Sequence, residues 1–259
     1  MTLSVRNQTL GKGELHFSLF TNTTSFLPAG FRYLGMTEEF NVKTEAQMLD
    51  LYDTDHGIKE LSTSVPVQTN RTGSFTANDI QPENLALFFF GTSSLLTQTA
   101  ASALTETFTV KKGQSYILGL SNTNPTGLRN VTVNSAKVAT VTKAVGTDYT
   151  LDAARGILSI ASDGSIDDGA SVVVNYDAAA VTRDFIVSGN TPIQGALQFR
   201  AFNPVGKQFD YYMPCVRLTP NGDFSLKGDQ WQKMPFNVSV MKLANREAIY
   251  IDGQPYTAS

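Results

Sequence analysis

Short segments in which polar and apolar residues alternate run from one end of this chain to the other, and that two-residue period restricts it to a fold built mainly of β-strands. In Glu14-Leu15-His16-Phe17-Ser18-Leu19-Phe20 the alternation marks a strand with one face on a core. Phe31-Arg32-Tyr33-Leu34-Gly35 and Glu39-Phe40-Asn41-Val42-Lys43 repeat it after the turn Pro28-Ala29-Gly30. The stretch from Ser64 to Thr76 is long and β-rich, and Pro66, which has no N–H to give a ladder, places it at a sheet edge or a bulge. Gly195 to Phe202, Lys207 to Leu218 and Phe236 to Leu243 are heavier strands, with tight-turn residues at Asn203-Pro204-Val205-Gly206 and Asn221-Gly222-Asp223.

One segment breaks the pattern. Pro82 to Phe90 reads as a helix, with Asn78 or Asp79 as its cap, Pro82 in the first turn, Glu83 at the positive end of the dipole and Gly91 as the stop. Leu85-Ala86-Leu87-Phe88-Phe89-Phe90 is apolar nearly all round, so Leu85, Leu87, Phe88 and Phe89 are expected to pack the helix against a sheet. A second short helical or irregular segment is expected from Ser93 to Ala103.

From about Thr105 to Asp184 the texture changes to short strands rich in Val, Thr, Ala and Gly. Asn130–Val133, Asp148–Leu151, Gly156–Ile160 and Ser171–Tyr176 alternate with turn clusters such as Ser162-Asp163-Gly164 and Asp167-Asp168-Gly169. Turns about ten residues apart fit a small β-sandwich, Ig-like in its dimensions. The expected division is residues 1–104 with 185–259 as a core domain and 105–184 as an inserted β-domain. The fold class is thus all-β dominated, a sandwich or barrel with one flanking helix plus the insert.

The stretch Thr44 to Thr63 is read as an acidic loop of about 20 residues, unusual inside a compact domain. It holds Glu45, Asp50, Asp53, Asp55 and Glu60 against Lys59 alone, with Met48, Leu49, Leu51, Tyr52, Ile58 and Leu61 interleaved. Apolar side chains on an excursion of that kind mark a contact surface. Composition agrees: charged residues make up 17% of the 259, below the roughly 25% of an ordinary soluble domain, as if partners cover much of the surface. The formal net charge of -3 offers no basic footprint for gripping phosphates.

Catalytic and metal chemistry find little to work with. Cys215 is the single cysteine, placed in an apolar stretch as a small buried side chain, so no intrachain disulfide or cysteine zinc site is possible. The polar start, Met1 to Gly13, lacks a signal-peptide core, and no run approaches the ~18 apolar residues of a membrane helix, which points to a reducing cytoplasm and no membrane. The sequons at Asn70 and Asn130 are then chance matches. His16 is expected to be solvated on a polar strand face, and His56 in Asp53-Thr54-Asp55-His56-Gly57 lacks the further ligands that zinc or calcium needs. Asp163 to Gly169 is turn chemistry, and no nucleophile elbow, Walker loop or dinucleotide fingerprint occurs. Trp231 suits a rim aromatic packed on a turn better than a sugar platform. No catalytic residue, metal or cofactor is expected.

The order of these segments has a parallel. Gly11-Lys12-Gly13-Glu14-Leu15-His16-Phe17, then Tyr33-Leu34-Gly35-Met36-Thr37-Glu38-Glu39-Phe40, then Asp55-His56-Gly57-Ile58-Lys59-Glu60, Thr69 to Thr76 and the helix Pro82 to Gly91 resemble the corresponding segments of major tail tube proteins of long-tailed, siphovirus-like bacteriophages. The resemblance covers roughly the first hundred residues well and the last seventy more loosely. The central segment, Gly146 to Tyr176, is similar to a β-segment of many phage structural proteins, and is either an exterior decoration or part of the ring core.

That family implies a β-sandwich with a helix, hexameric rings stacked into a tube, and DNA passing through the lumen without specific binding. It also implies location in the virion tail after assembly in the host cytoplasm. The partners it implies are further copies of the chain and other tail proteins, namely tape measure, tail terminator and distal tail protein. The excursion Thr44 to Thr63 would reach an adjacent ring or subunit, with Met48, Leu51, Tyr52, Asp53 and Ile58 as its contacts. Two other readings predict different surfaces. A monomeric carbohydrate-binding β-sandwich calls for Trp231, Tyr211 and Tyr212 exposed in a row, and a hydrolase calls for a deep pocket with convergent polar groups.

Overall fold

Eighteen strands and a single helix account for most of the chain in the computed structural model, which describes residues 8–22, 24–55 and 57–253. In chain order they are β1 Gly13–Asn22, β2 Leu27–Pro28, β3 Arg32–Tyr33, β4 Thr37–Asp53, β5 Glu60–Ala77, α1 Pro82–Phe88, β6 Thr92–Gln98, β7 Ala101–Thr109, β8 Ser115–Ile117 and β9 Val131–Val138. Then follow β10 Val141–Thr142, β11 Tyr149–Asp152, β12 Ile157–Ile160, β13 Ser171–Ala178, β14 Val181–Val187, β15 Ile193–Ala201, β16 Phe209–Pro220, β17 Met234–Val240 and β18 Tyr250–Gly253. The fold is all-β dominated, as the alternation requires.

The chain divides into two units, Met1–Ser93 with Ile186–Ser259, and Ser94–Phe185. The insert therefore begins about ten residues before the expected Thr105. The segment Ser93 to Ala103, expected to be helical or irregular, forms β6 and the start of β7 instead. Its Ser and Thr residues have modest helix propensity, and β6 finds a ladder partner in β14.

The first unit is one nine-stranded antiparallel sheet in the order β2-β1-β15-β16-β17-β5-β4, with β3 also on β1 and β18 on β16. It curls strongly. Phe40 of the terminal strand β4 comes within 6.0 Å (ring centroids) of Phe199 on β15, although three strands separate the two along the sheet. The enclosed core contains Leu15, Phe17, Phe75, Leu197, Met213, Val216, Leu218 and Phe236, with Phe75 stacked on Phe236 at 5.1 Å.

The helix α1 closes that core. Leu87 and Phe88 are buried in it and Leu85 packs against it, whereas Phe89 is 41% exposed, touching the rings of Phe88 and Phe224. Phe89 is already the C-cap, so it has left the buried stripe. The N-cap is Gln81, with extended backbone and no side-chain cap bond, in place of Asn78 or Asp79. The physical reason is Pro82, which holds the residue before it out of the helical region.

The stop also differs from expectation. Phe90 takes the left-handed conformation (φ 52°) and donates to Leu87 O, while Gly91 N–H reaches Ala86 O at 2.8 Å, a Schellman pattern without glycine at its left-handed position. Gly91 is required for space: a Cβ there would lie 1.8 Å from Val187 O.

The second unit is a β-sandwich. A four-stranded sheet, β10-β9-β13-β7, and a three-stranded sheet, β11-β12-β8, share a core of Val110, Leu118, Leu158, Ile160, Val172, Val174 and Tyr176. Along β13 the residues Val172, Val174, Tyr176 and Ala178 are buried, so period two here maps directly onto the inner face. Glu106 accepts hydrogen bonds from the Tyr176 hydroxyl and from Gly119 N–H, both at 2.8 Å. Burial and this carboxylate push the Tyr176 phenol well above its ordinary range.

Candidate assembly surface

The segment Thr44 to Thr63, expected as a loop, is the outer part of a hairpin. β4 and β5 stay in register from Thr44↔Arg71 to Asp53↔Glu60, with irregularities between Gln47 and Met48 and between Leu51 and Tyr52. No Pro or Gly interrupts Thr37 to Asp53, so the strand runs unbroken to Asp53. Pro66 sits at the first irregularity, beyond the Arg71–Ala77 part of β5 that pairs with β17, where β4 is its one ladder neighbour.

Among the described residues nothing covers this ribbon. Every described residue from Asn41 to Asn70 is exposed. At ~3.3 Å per residue, Glu45 to Asp53 alone spans roughly 26 Å. Alternation along β4 sorts the expected contact residues onto two faces, so they do not form one patch. Met48 and Tyr52 lie on one face, opposite Pro66 and Leu61. Leu51 and Asp53 lie on the other, with Leu49 opposite Val65. Ile58, at the turn, is 75% exposed. Leu49 and Leu61, already among the apolar residues of the excursion, and Val65 and Val67, which the hairpin register adds, are exposed on the same ribbon.

Polar groups on the arm bond locally. Ser64 Oγ donates to Asp50 Oδ1 at 2.6 Å across the strands, Asp55 N–H donates to Asp53 Oδ1 at 2.9 Å in the turn, and Lys43 pairs with Glu45. His56, considered as a metal ligand, lies outside the described residues. Among the described residues no group of three His, Cys, Asp or Glu side chains is placed to hold a metal. Asp168 accepts from Lys112 N–H at 2.8 Å, a turn contact.

The outer edge of β4 pairs with nothing among the described residues, since β5 is its one ladder partner. An unpaired strand edge is a template for another chain. Beside that edge lies a cleft of about 720 Å³ lined by Phe40, Phe199, Phe209 and Tyr211 with Lys12 and Lys207. Glu38, also on its wall, is engaged by Lys233 Nζ at 2.7 and 2.9 Å and by Asn78 Nδ2 at 3.0 Å, which hold its carboxyl below the usual range.

Other expectations move. His16 is buried, its Nε2 3.1 Å from Glu14 Oε2 and its ring 5.4 Å from Tyr33. Its ladder partners Tyr33 on β3 and Gln198 on β15 put their side chains on the same face beside it, so its polar side is covered as well. Cys215 is buried, as its apolar stretch implies, which raises its thiol pKa. Trp231 is 91% exposed and does not pack on a turn. Tyr211 and Tyr212 do not form a row with it: the two are consecutive in β16, Tyr211 against Phe199 and Tyr212 against Tyr250 and Phe31.

The family described as protein of unknown function UCP028589 matches residues 8–249. The chain belongs to that family. Among curated proteins none matches it. The matched span takes in both units and the whole β4–β5 arm, so the arm is part of what the family model describes.

Proposed function

We propose that this protein is the structural subunit of a bacteriophage tail tube, polymerising as stacked hexameric rings around a channel for DNA. It acts with no catalytic chemistry and no cofactor. The observation that carries the reading is the β4–β5 arm: a two-stranded ribbon exposed on both faces, apolar on both, and attached to an unpaired sheet edge. An isolated hairpin is marginal in water. Neighbouring copies that cover both faces and continue the sheet would stabilise the arm and remove the edge. The tail-tube-like order of segments in the first hundred residues supports the same conclusion.

In such a tube DNA passage is mechanical. A chain of net charge -3 gives phosphates no strong attractive wall, so the polyanion slides without counterion-releasing contacts. The subunit would assemble in the host cytoplasm, reside in the virion tail, and meet the tape measure, terminator and distal tail proteins at the tube's interior and ends. Negative-stain microscopy of purified, concentrated protein tests this. Rings or hollow tubes are expected, and dispersed small particles across a range of concentration and salt would overturn it.

A further inference from the structure

Within the second unit, Arg183 forms no ion pair among the described residues. Arg183, on β14, is partly buried, and its guanidinium donates only to neutral oxygens. These are Gln98 Oε1 at 3.4 Å, Asn124 Oδ1 at 3.3 Å, Thr126 Oγ1 at 3.2 Å and Gly127 O at 3.1 Å. Its Nε–H has no partner among the described residues, and no carboxylate there forms an ion pair with it.

Gln98 Oε1 accepts from Arg183 and from the main-chain N–H of Arg129 (2.9 Å), and Gln98 Nε2 donates to the main-chain O of Arg129 (2.7 Å), so one amide ties the Arg183 side chain to the Arg129 backbone. Desolvation first, then repulsion from Arg129, lowers the pKa of Arg183. Asp152, the carboxylate that Arg129 acts on, is engaged by Arg155 at 2.7 Å, and Arg129 itself donates to Arg155 O. A partly buried guanidinium held by neutral acceptors alone is unfavourable by itself, and an oxyanion beside Arg183 supplies the missing counter-charge.

Arg183 opens onto a cleft of about 270 Å³, whose other walls include Thr97, Thr99, Thr123 and Asn124 with Leu96 and Leu128. The volume lies just below the roughly 300–1,000 Å³ of sites for drug-sized ligands, so an occupant is compact. We propose that this cleft binds an oxyanion on a small hydroxyl-bearing molecule, a sugar acid or a sugar phosphate. Arg183 is its charge partner, and the threonine hydroxyls and Asn124 recognise its hydroxyl groups. Guanidinium matches carboxylate and phosphate geometry through paired N–H donors.

Isothermal titration of the intact chain at low salt with glucuronate, inorganic phosphate and glucose tests the site. Saturable binding of glucuronate, of phosphate or of both is expected, and which of the two binds identifies the source of the anion. Arg183→Gln should weaken binding at least tenfold. Because Arg183 also holds the loop at residues 124–127, Thr99→Ala, an exposed residue of the cleft wall, is measured in parallel, with an expected severalfold loss and an unchanged thermal midpoint. Failure of both anions to bind, equal binding of glucose, or unaltered affinity in both variants would overturn the proposal.

Discussion

Replacing Tyr52 and Ile58 together by Asp separates the stability of the subunit from the stability of its polymer. Tyr52 is about half exposed and Ile58 three-quarters exposed, so neither contributes much to the folded chain. Surface substitutions of this kind change unfolding free energy by about 0.5 kcal/mol or less. In a polymer that covers the arm, their remaining exposed areas become buried. With 1.5–3 kcal/mol for a fully buried large apolar side chain, half of that for Tyr52 and three-quarters for Ile58 come to about 3 kcal/mol. At 1.4 kcal/mol per factor of ten, the concentration needed for assembly rises roughly 100-fold, and desolvating two new carboxylates adds to this. The assay pairs sedimentation and microscopy across a concentration series with circular dichroism of the unassembled fraction. Expected is a folded, soluble subunit that forms no tubes where the parent does. Tubes at the parent's threshold would refute the claim that the arm is an interface.

Three further outcomes follow from the packing. Gly91→Ala should lower the thermal midpoint of the first unit by several degrees, because the new methyl lies 1.8 Å from Val187 O and neither backbone yields easily; an unchanged midpoint would contradict the close approach. Glu106→Ala strands the buried Tyr176 hydroxyl and Gly119 N–H and should cost about 1–3 kcal/mol in denaturant unfolding. Adding Tyr176→Phe, which removes the stranded hydroxyl, should recover part of that loss. Ala144 and Ser165 N–H groups hold the Asp148 carboxyl below the usual range, and Arg155 does the same for Asp152. These groups bind fewer protons folded than unfolded, so their stabilisation is full above the ordinary aspartate range near pH 4 and is lost as pH falls through the lower folded values. Thermal scans of wild type and Asp148→Asn between pH 6 and 2.5 should converge toward the acid end, and parallel curves would contradict the assignment.

What this chain is made of follows from neighbours in sequence. The alternation at Glu14–Phe20, Ser171–Tyr176 and Gly195–Phe202 specifies strands, because a two-residue period can bury one face in no other way. The glycine- and aspartate-rich turns likewise delimit the insert to within about ten residues, and an apolar run behind Pro82 specifies the helix. What covers each face depends on segments far away in the chain. Thr44 to Thr63 looks like a loop until β4 and β5 are laid in register, and then it is a ribbon with two apolar faces, a distinction made by pairing across the hairpin. His16 is buried because Tyr33 on β3 and Gln198 on β15 stand beside it on the same face, Phe89 is exposed because the helix has already ended, and Gly91 is glycine because Val187, nearly a hundred residues later, passes against it. Period and turn chemistry are local and can be read along the chain, whereas register, burial and close approach are set by long-range contacts and exist only in the folded molecule.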